Sequence, residues 1–166
     1  VYMIPPREAS ACFTGHRSLP SGAPREDIVR SLDAVIAAAV SRGLVNFWTG
    51  GAVGFDTLAA CRVIAASKKV PEVKLHLALP CRNQTEKWQR MDDLVLYKQI
   101  MSAADSVEYM GDFYTAGCMH ERNRFMVDHS SLCIAYCTKR SGGTFYTVEY
   151  ARANGVAVQN LAECVK

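Results

Sequence analysis

Leu44-Val45-Asn46-Phe47-Trp48-Thr49 runs directly into Gly50-Gly51-Ala52-Val53-Gly54-Phe55-Asp56. An apolar, strand-like run ends in glycines, and an alanine-rich helical stretch from Phe55 to Lys69 begins at once. A strand that turns into a helix through glycines leaves backbone N–H groups pointing at open space, where an anion fits. The spacing Gly50-Gly51-x-x-Gly54 is not the dinucleotide fingerprint, and no P-loop Lys-Ser/Thr follows it. The turn alone is therefore open to two readings, a ligand loop or a tight strand-to-helix connection.

Two other segments share this character: Thr14-Gly15-His16-Arg17 and Ser141-Gly142-Gly143-Thr144. Each follows an apolar strand-like run or the loop after one. The pattern between them predicts strands at 10–14, 44–49, 73–79, 106–110, 132–136 and 156–159. Helices are predicted at 25–42, 55–69, 85–104, 116–128 and 144–153, from apolar residues at helical spacing such as Ile28, Leu32, Val35, Ile36 and Ala39. Strand and helix alternate throughout, the pattern of an α/β, Rossmann-like, open and mostly parallel sheet with helices on both faces. In such sheets ligands bind at the carboxyl ends of the strands, near the point where strand order reverses. All three segments are expected at those ends. With no internal repeat or linker, residues 1–166 read as one nucleotide-binding domain.

The composition sets bounds. At 166 residues, 49% of them apolar, the chain can build one real core. A net charge of +3 suits an anionic ligand but does not by itself indicate nucleic acid. Seven cysteines without a CxxC pair read as reduced thiols rather than a metal centre, so no metal is expected. No basic-then-apolar leader pattern and no apolar run of about 20 residues occurs, so no membrane partner and a cytoplasmic location are expected. Apolar helix faces can serve a homo-oligomer as well as a core.

Each candidate side chain has a plain and a sharper reading. Asp56 is a helix-start carboxylate, either a cap or dipole partner or an acceptor for ribose hydroxyls. Arg17 is a surface ion-pair residue or a phosphate partner. His16 either makes a structural hydrogen bond or donates to an anion. Arg122 and Arg124 lie two apart on a helix, so they point in different directions and at most one faces the site. Glu121 and Glu149 are the nearby acids with catalytic chemistry open to them. Trp88, Tyr97, Tyr109 and Tyr114 are core aromatics or stacking surfaces for a base.

Together these segments resemble the SLOG superfamily of Rossmann-like nucleotide-binding domains, and most of all its YpsA-like branch, a bacterial family. The resemblance runs from Cys12-Phe13-Thr14-Gly15-His16-Arg17 to Val156. It takes in Gly50 to Asp56 with Ala59-Ala60, Leu79-Pro80 with Gln84 and Trp88, Tyr97, Ala104-Asp105 and Tyr114. It also takes in Arg122-Asn123 with Met126-Val127-Asp128, and Gly142-Gly143-Thr144. It implies a nucleotide-derived small molecule such as an ADP-ribose, NAD-like or signalling nucleotide, with no cofactor required. The implied ligand residues are Thr14, Gly15, His16, Arg17, Gly50, Gly51, Ala52, Gly54, Asp56, Pro80, Arg122, Asn123, Ser141, Gly142, Gly143 and Thr144.

Two relatives of that branch pull apart. The LOG phosphoribohydrolases share a Met-x-x-Arg-Lys helix, matched by Met119 and Arg122 with Asn123 in place of the lysine. Thr147 stands where that family's catalytic glutamate falls, so N-glycosidic hydrolysis would have to rest on Glu121 or Glu149. The DNA-processing protein A family, which binds single-stranded DNA, is matched at Gly50 to Asp56, at Arg122-Asn123-Arg124 and at Ser141-Gly142. The chain has no dense basic run to go with it. The first expectation is thus a nucleotide sensor or sequestering protein. Nucleotide hydrolysis and single-strand binding are the alternatives.

Overall fold

The computed structural model describes residues 3–163. Cys164, one of the thiols noted above, lies outside them. Six strands are found among the described residues: β1 (Ser10–Gly15), β2 (Asn46–Thr49), β3 (Lys74–Leu79), β4 (Ser106–Tyr109), β5 (Leu132–Tyr136) and β6 (Ala157–Asn160). They alternate with α1 (Ala23–Ser41), α2 (Phe55–Lys69), α3 (Met91–Ala103), α4 (Cys118–Asp128) and α5 (Gly142–Ala153). All the strand pairs are parallel, in the order β4-β3-β2-β1-β5-β6. The fold is the Rossmann-like α/β architecture expected.

Strand alternation divides the core into two layers. Ala11, Phe13, Phe47, Leu75, Leu77, Leu79, Leu132 and Ile134 pack on the side covered by α1, α2 and α3. Cys12, Trp48, Ala78 and Cys133 face the other way, against Met126 and Val127 of α4 and Ala151 of α5. Most side chains on that second face are small, so α4 and α5 approach closely. Trp48 and His76 are larger; Trp48 lies 5.0 Å from the His76 ring and packs edge-on to Phe125 at 5.4 Å between centroids. Cys12 and Cys133 are register partners on β1 and β5, and both are buried free thiols.

The chain proceeds outward from β1 to β4 along one half of the sheet, then crosses to β5 on the other side of β1. The crevice between the carboxyl ends of β1 and β5 is therefore the switch point of this sheet. Thr14 and Gly15 of β1 pair with Ala135 and Tyr136 of β5 at its base.

Several boundaries differ from the sequence reading. The helix expected over 85–104 begins only at Met91. Residues 82–87 form turns instead, with i to i+3 bonds from Glu86 N–H to Asn83 O and from Trp88 N–H to Thr85 O. The Asn83 side chain explains this. Its amide donates to Glu86 at 3.0 Å and its oxygen accepts the Tyr114 N–H at 3.1 Å, contacts that compete with helix continuation. α1 starts earlier than expected, with Pro24 in its first turn, where a missing N–H costs nothing. α5 begins at Gly142 rather than Thr144, so the third glycine segment is itself a helix N-terminus.

A candidate anion site at the switch point

The loop after β1 lies across the start of α2, and glycines make that crossing possible. Phe55 N–H donates to the carbonyl of His16 at 3.1 Å. A Cβ on Gly15 would overlap the Phe55 side chain, and one on Gly54 would overlap the carbonyls of Arg17 and His16. Gly54 also has φ +84°, a conformation L side chains rarely adopt. The start of α2 is thus consumed by protein contacts: Ala52 N–H donates to Asp56 Oδ2 at 3.3 Å, and Thr57 Oγ1 to Ala52 O at 2.8 Å.

The start of α5 also lacks a side-chain cap, but among the described residues none of its first N–H groups is bonded to a neighbouring loop, as Phe55 N–H is at the start of α2. The first N–H groups of a helix have no intrahelical partner, and they carry the positive end of its dipole. A cavity of about 320 Å³ opens there. Thr14, Gly15, His16 and Arg17 form one wall, and Ser141, Gly142, Gly143 and Thr144 form the facing one. Ala52, Asp56, Arg122 and Asn123 line it from α2 and α4. Met119 and Lys139 complete it.

Charge in this cavity is layered. At its base Arg122 and Asp56 are both buried. Burial raises the Asp56 carboxyl above its usual range and pulls the Arg122 guanidinium below its own, while each group's charge partly offsets the other's shift. Arg122 donates to the carbonyl of Gly50, and its Nε to Asn123 Oδ1 at 2.7 Å. At the mouth, Arg17 and Lys139 are exposed. Among the described residues neither is in an ion pair. His16 Nε2 accepts the Thr138 N–H at 2.9 Å, which places the ring proton of the neutral imidazole on Nδ1. Burial lowers the His16 pKa, and the Lys139 charge lowers it further.

With this geometry in view, comparison with known proteins is direct. The family model of the YspA SLOG family matches residues 12–161. The chain belongs to the YspA SLOG family. Among similar proteins, the uncharacterized SPbeta prophage-derived protein YoqJ of Bacillus subtilis is 32% identical over 120 residues, 64% of this chain and 69% of its own. A UPF0398 protein of Brevibacillus brevis is 28% identical over 66% of this chain and 63% of its own. One from Bacillus cereus is 26% identical over 86% and 82%. Two solved structures share the fold. DNA processing protein A of Streptococcus pneumoniae superposes with a TM-score of 0.66 at 19% identity over 90% of this chain. The Helicobacter pylori protein of that name, described for its single-stranded DNA binding mode, gives 0.62 at 18% over 92%. The chain spans 48% of the first and 64% of the second.

In this YspA SLOG member the structure separates the flagged residues into two groups. Gly50, Gly51, Gly54 and Pro80 do not line the cavity. Gly50 and Gly51 are packed beneath it, where a Cβ would meet Arg122 in one case and Leu79 in the other. Pro80 lines a different depression, on the α4 side. Glu121 is exposed in that same depression. Glu149 is exposed on α5 and pairs with Arg152 at 3.0 Å. Neither glutamate lines the cavity, and Thr147 turns inward to donate to Gly143 O at 2.8 Å. Arg124 bonds Tyr146 Oη at 3.0 Å rather than the site, so Arg122 alone of the two arginines turns in. Met119, which the sequence shows only as part of the Arg122 helix motif, and Lys139, which no sequence motif marks, also line the cavity. The signal for Lys139 is its place two residues before Ser141, in the loop that crosses the switch point.

Proposed function

We propose that the chain binds a nucleotide-derived small molecule by its phosphate, at the cavity between the ends of β1 and β5, and acts as a sensor or sequestering protein. One observation carries the reading. The α5 N-terminus, without a side-chain cap, faces Arg17 and Lys139 across a cavity that the switch point of the sheet opens. Backbone N–H groups of Gly143 and Thr144 would take phosphate oxygens, and Arg17 and Lys139 would neutralise them. Asp56, buried at the base, would repel a phosphate but accept from ribose hydroxyls, which orients the ligand with its charge outward. An ADP-ribose, NAD-like or signalling nucleotide meets these demands.

Incubation with a mixture of AMP, NAD, ADP-ribose and cyclic nucleotides, followed by ultrafiltration and mass spectrometry, tests this. Retention of an intact nucleotide, weakened by Arg17→Ala, is the expected outcome. At 100 times Kd such a ligand stabilises by about 2.7 kcal/mol. If no nucleotide is retained and none raises the melting temperature, the reading falls. Release of free base would instead point to hydrolysis, with the acid to be sought elsewhere than at Glu121 and Glu149, which do not line the cavity.

A second reading has one feature in its favour. Phe113 and Tyr114 are 73% and 64% exposed on the segment before α4. Exposed rings beside basic side chains are what single-strand binding uses. Salt-sensitive anisotropy with labelled oligonucleotides would support it; no binding at low salt would remove it.

A further inference from the structure

A second cavity, of about 570 Å³, adjoins the first. Arg17 and Met119 line both, so the two are neighbouring compartments with a shared wall. Their volumes fall in the range of small-molecule sites. The second compartment differs in chemistry. Trp88 and Tyr114 present ring surface there, with Asn83 and Lys87 beside them.

Trp88 is held rather than loose. It is half-buried and packs edge-on against Tyr97, with centroids 5.3 Å apart and planes at 80°. The turns over residues 82–87, which replace the expected start of α3, bring Trp88 to this wall. Asn83 Oδ1 accepts the Tyr114 N–H, so the segment after β3 is tied to the segment after β4. The two aromatic residues therefore come from different loops but belong to one fastened rim.

We infer that this second compartment receives the nucleobase of the bound nucleotide, stacked on Trp88 and Tyr114, while the phosphate lies at the α5 N-terminus and Arg17 spans the two. This rests on the phosphate reading above. A flat, heteroaromatic group is the chemistry that matches: every base has a π-face, and stacking on aromatic side chains tolerates base identity. A polar ligand with no aromatic ring, such as a sugar phosphate, would fill only the first compartment.

The test uses the whole chain and three kinds of probe: inorganic phosphate, ribose 5-phosphate and the four ribonucleoside monophosphates. Calorimetry gives affinities, and tryptophan fluorescence reports on Trp88. Only two tryptophans are present, and Trp48 is fully buried within the sheet. At least one nucleoside monophosphate is expected to bind roughly 5- to 100-fold tighter than ribose 5-phosphate, and to quench the fluorescence. Trp88→Leu should erase that difference while leaving ribose 5-phosphate affinity unchanged. Trp88→Phe should restore much of it. Tyr114→Ala, at an exposed position, should reduce it without affecting folding. Equal affinity for ribose 5-phosphate and every nucleotide overturns the base compartment and leaves the phosphate reading standing. No binding of any probe overturns both.

Discussion

The guanidinium of Arg122 and the side-chain amide of Gln84 donate to one acceptor, the carbonyl oxygen of Gly50. Arg122 reaches it from α4, and Gln84 from the turns after β3. A single backbone oxygen at the end of β2 thereby links the floor of the first cavity to the wall of the second. Gly50 has no side chain to obstruct either donor, and it is closely packed between Arg122 and Asp56.

Gly50→Ala tests that tightness. Its added Cβ would fall 2.6 Å from Arg122 Cζ and 2.8 Å from Asp56 Oδ2, in a buried region with no slack. Overpacking of this kind costs about 1–3 kcal/mol. In a chain of this size each kcal/mol lowers Tm by about 2–4 °C. Thermal denaturation should show the loss; an unchanged Tm would mean that Arg122 can move aside.

Arg122 and Asp56 should prove energetically coupled. Arg122→Leu leaves a buried carboxylate without its compensating charge, a change expected to cost about 3 kcal/mol. Adding Asp56→Asn should recover part of that loss, with a coupling energy of about 1 kcal/mol or more. Denaturant titration of the two single variants and the double variant gives the number. Strict additivity would show that the two charges do not sense each other.

His16 offers a readout of anion entry. Its pKa is now lowered by burial first and by the Lys139 charge second. An anion in the cavity favours the imidazolium, so inorganic phosphate should raise the His16 pKa. Lys139→Met should also raise it in the free protein, because a repelling charge has gone. NMR titration of the imidazole signals follows both shifts. A His16 pKa unmoved by saturating phosphate would place the anion elsewhere.

His76 predicts how stability follows pH. It is buried on β3, and burial pulls its pKa down to about 4. Asn46 Nδ2 donates to Ala9 O, so Asn46 Oδ1 must accept from His76 Nε2 at 2.9 Å. That leaves Nδ1 to accept from Ser106 Oγ at 2.6 Å, a fully bonded neutral ring. In the unfolded chain the pKa returns to about 6.5. The lowered folded value means this contribution is complete above pH 6.5 and is lost as pH falls towards 4. His76→Gln should flatten stability across that window. A slope equal to that of the parent protein would assign the acid sensitivity to other groups.

Much of the fold was readable from the chain, because periodicity is a local property. Apolar runs broken by glycines separate the strands from helices whose apolar residues recur every three to four positions, and each of the eleven main elements was found in its place. Where local reading failed, a long-range contact had decided the outcome. The helix expected from Thr85 does not start there because Asn83 is bonded to Tyr114, 31 residues away. Likewise, Gly50, Gly51 and Gly54 read as an anion loop, yet their absent side chains make room for Arg122, Leu79 and the backbone of Arg17.

By itself, then, the sequence determined the alternation of strand and helix, the glycine turns at the strand ends and the family to which the chain belongs. These depend on neighbours within a few residues, where backbone geometry and side-chain period act directly. Only the tertiary structure decided which glycine turn faces the cavity, because the start of α2 is consumed by Asp56 and His16 while the start of α5 is not. Only the tertiary structure set Lys139 beside His16, Arg122 beneath Gly50 and Trp88 near Tyr114. Such juxtapositions join residues far apart in the chain, and the order of strands in the sheet brings them together.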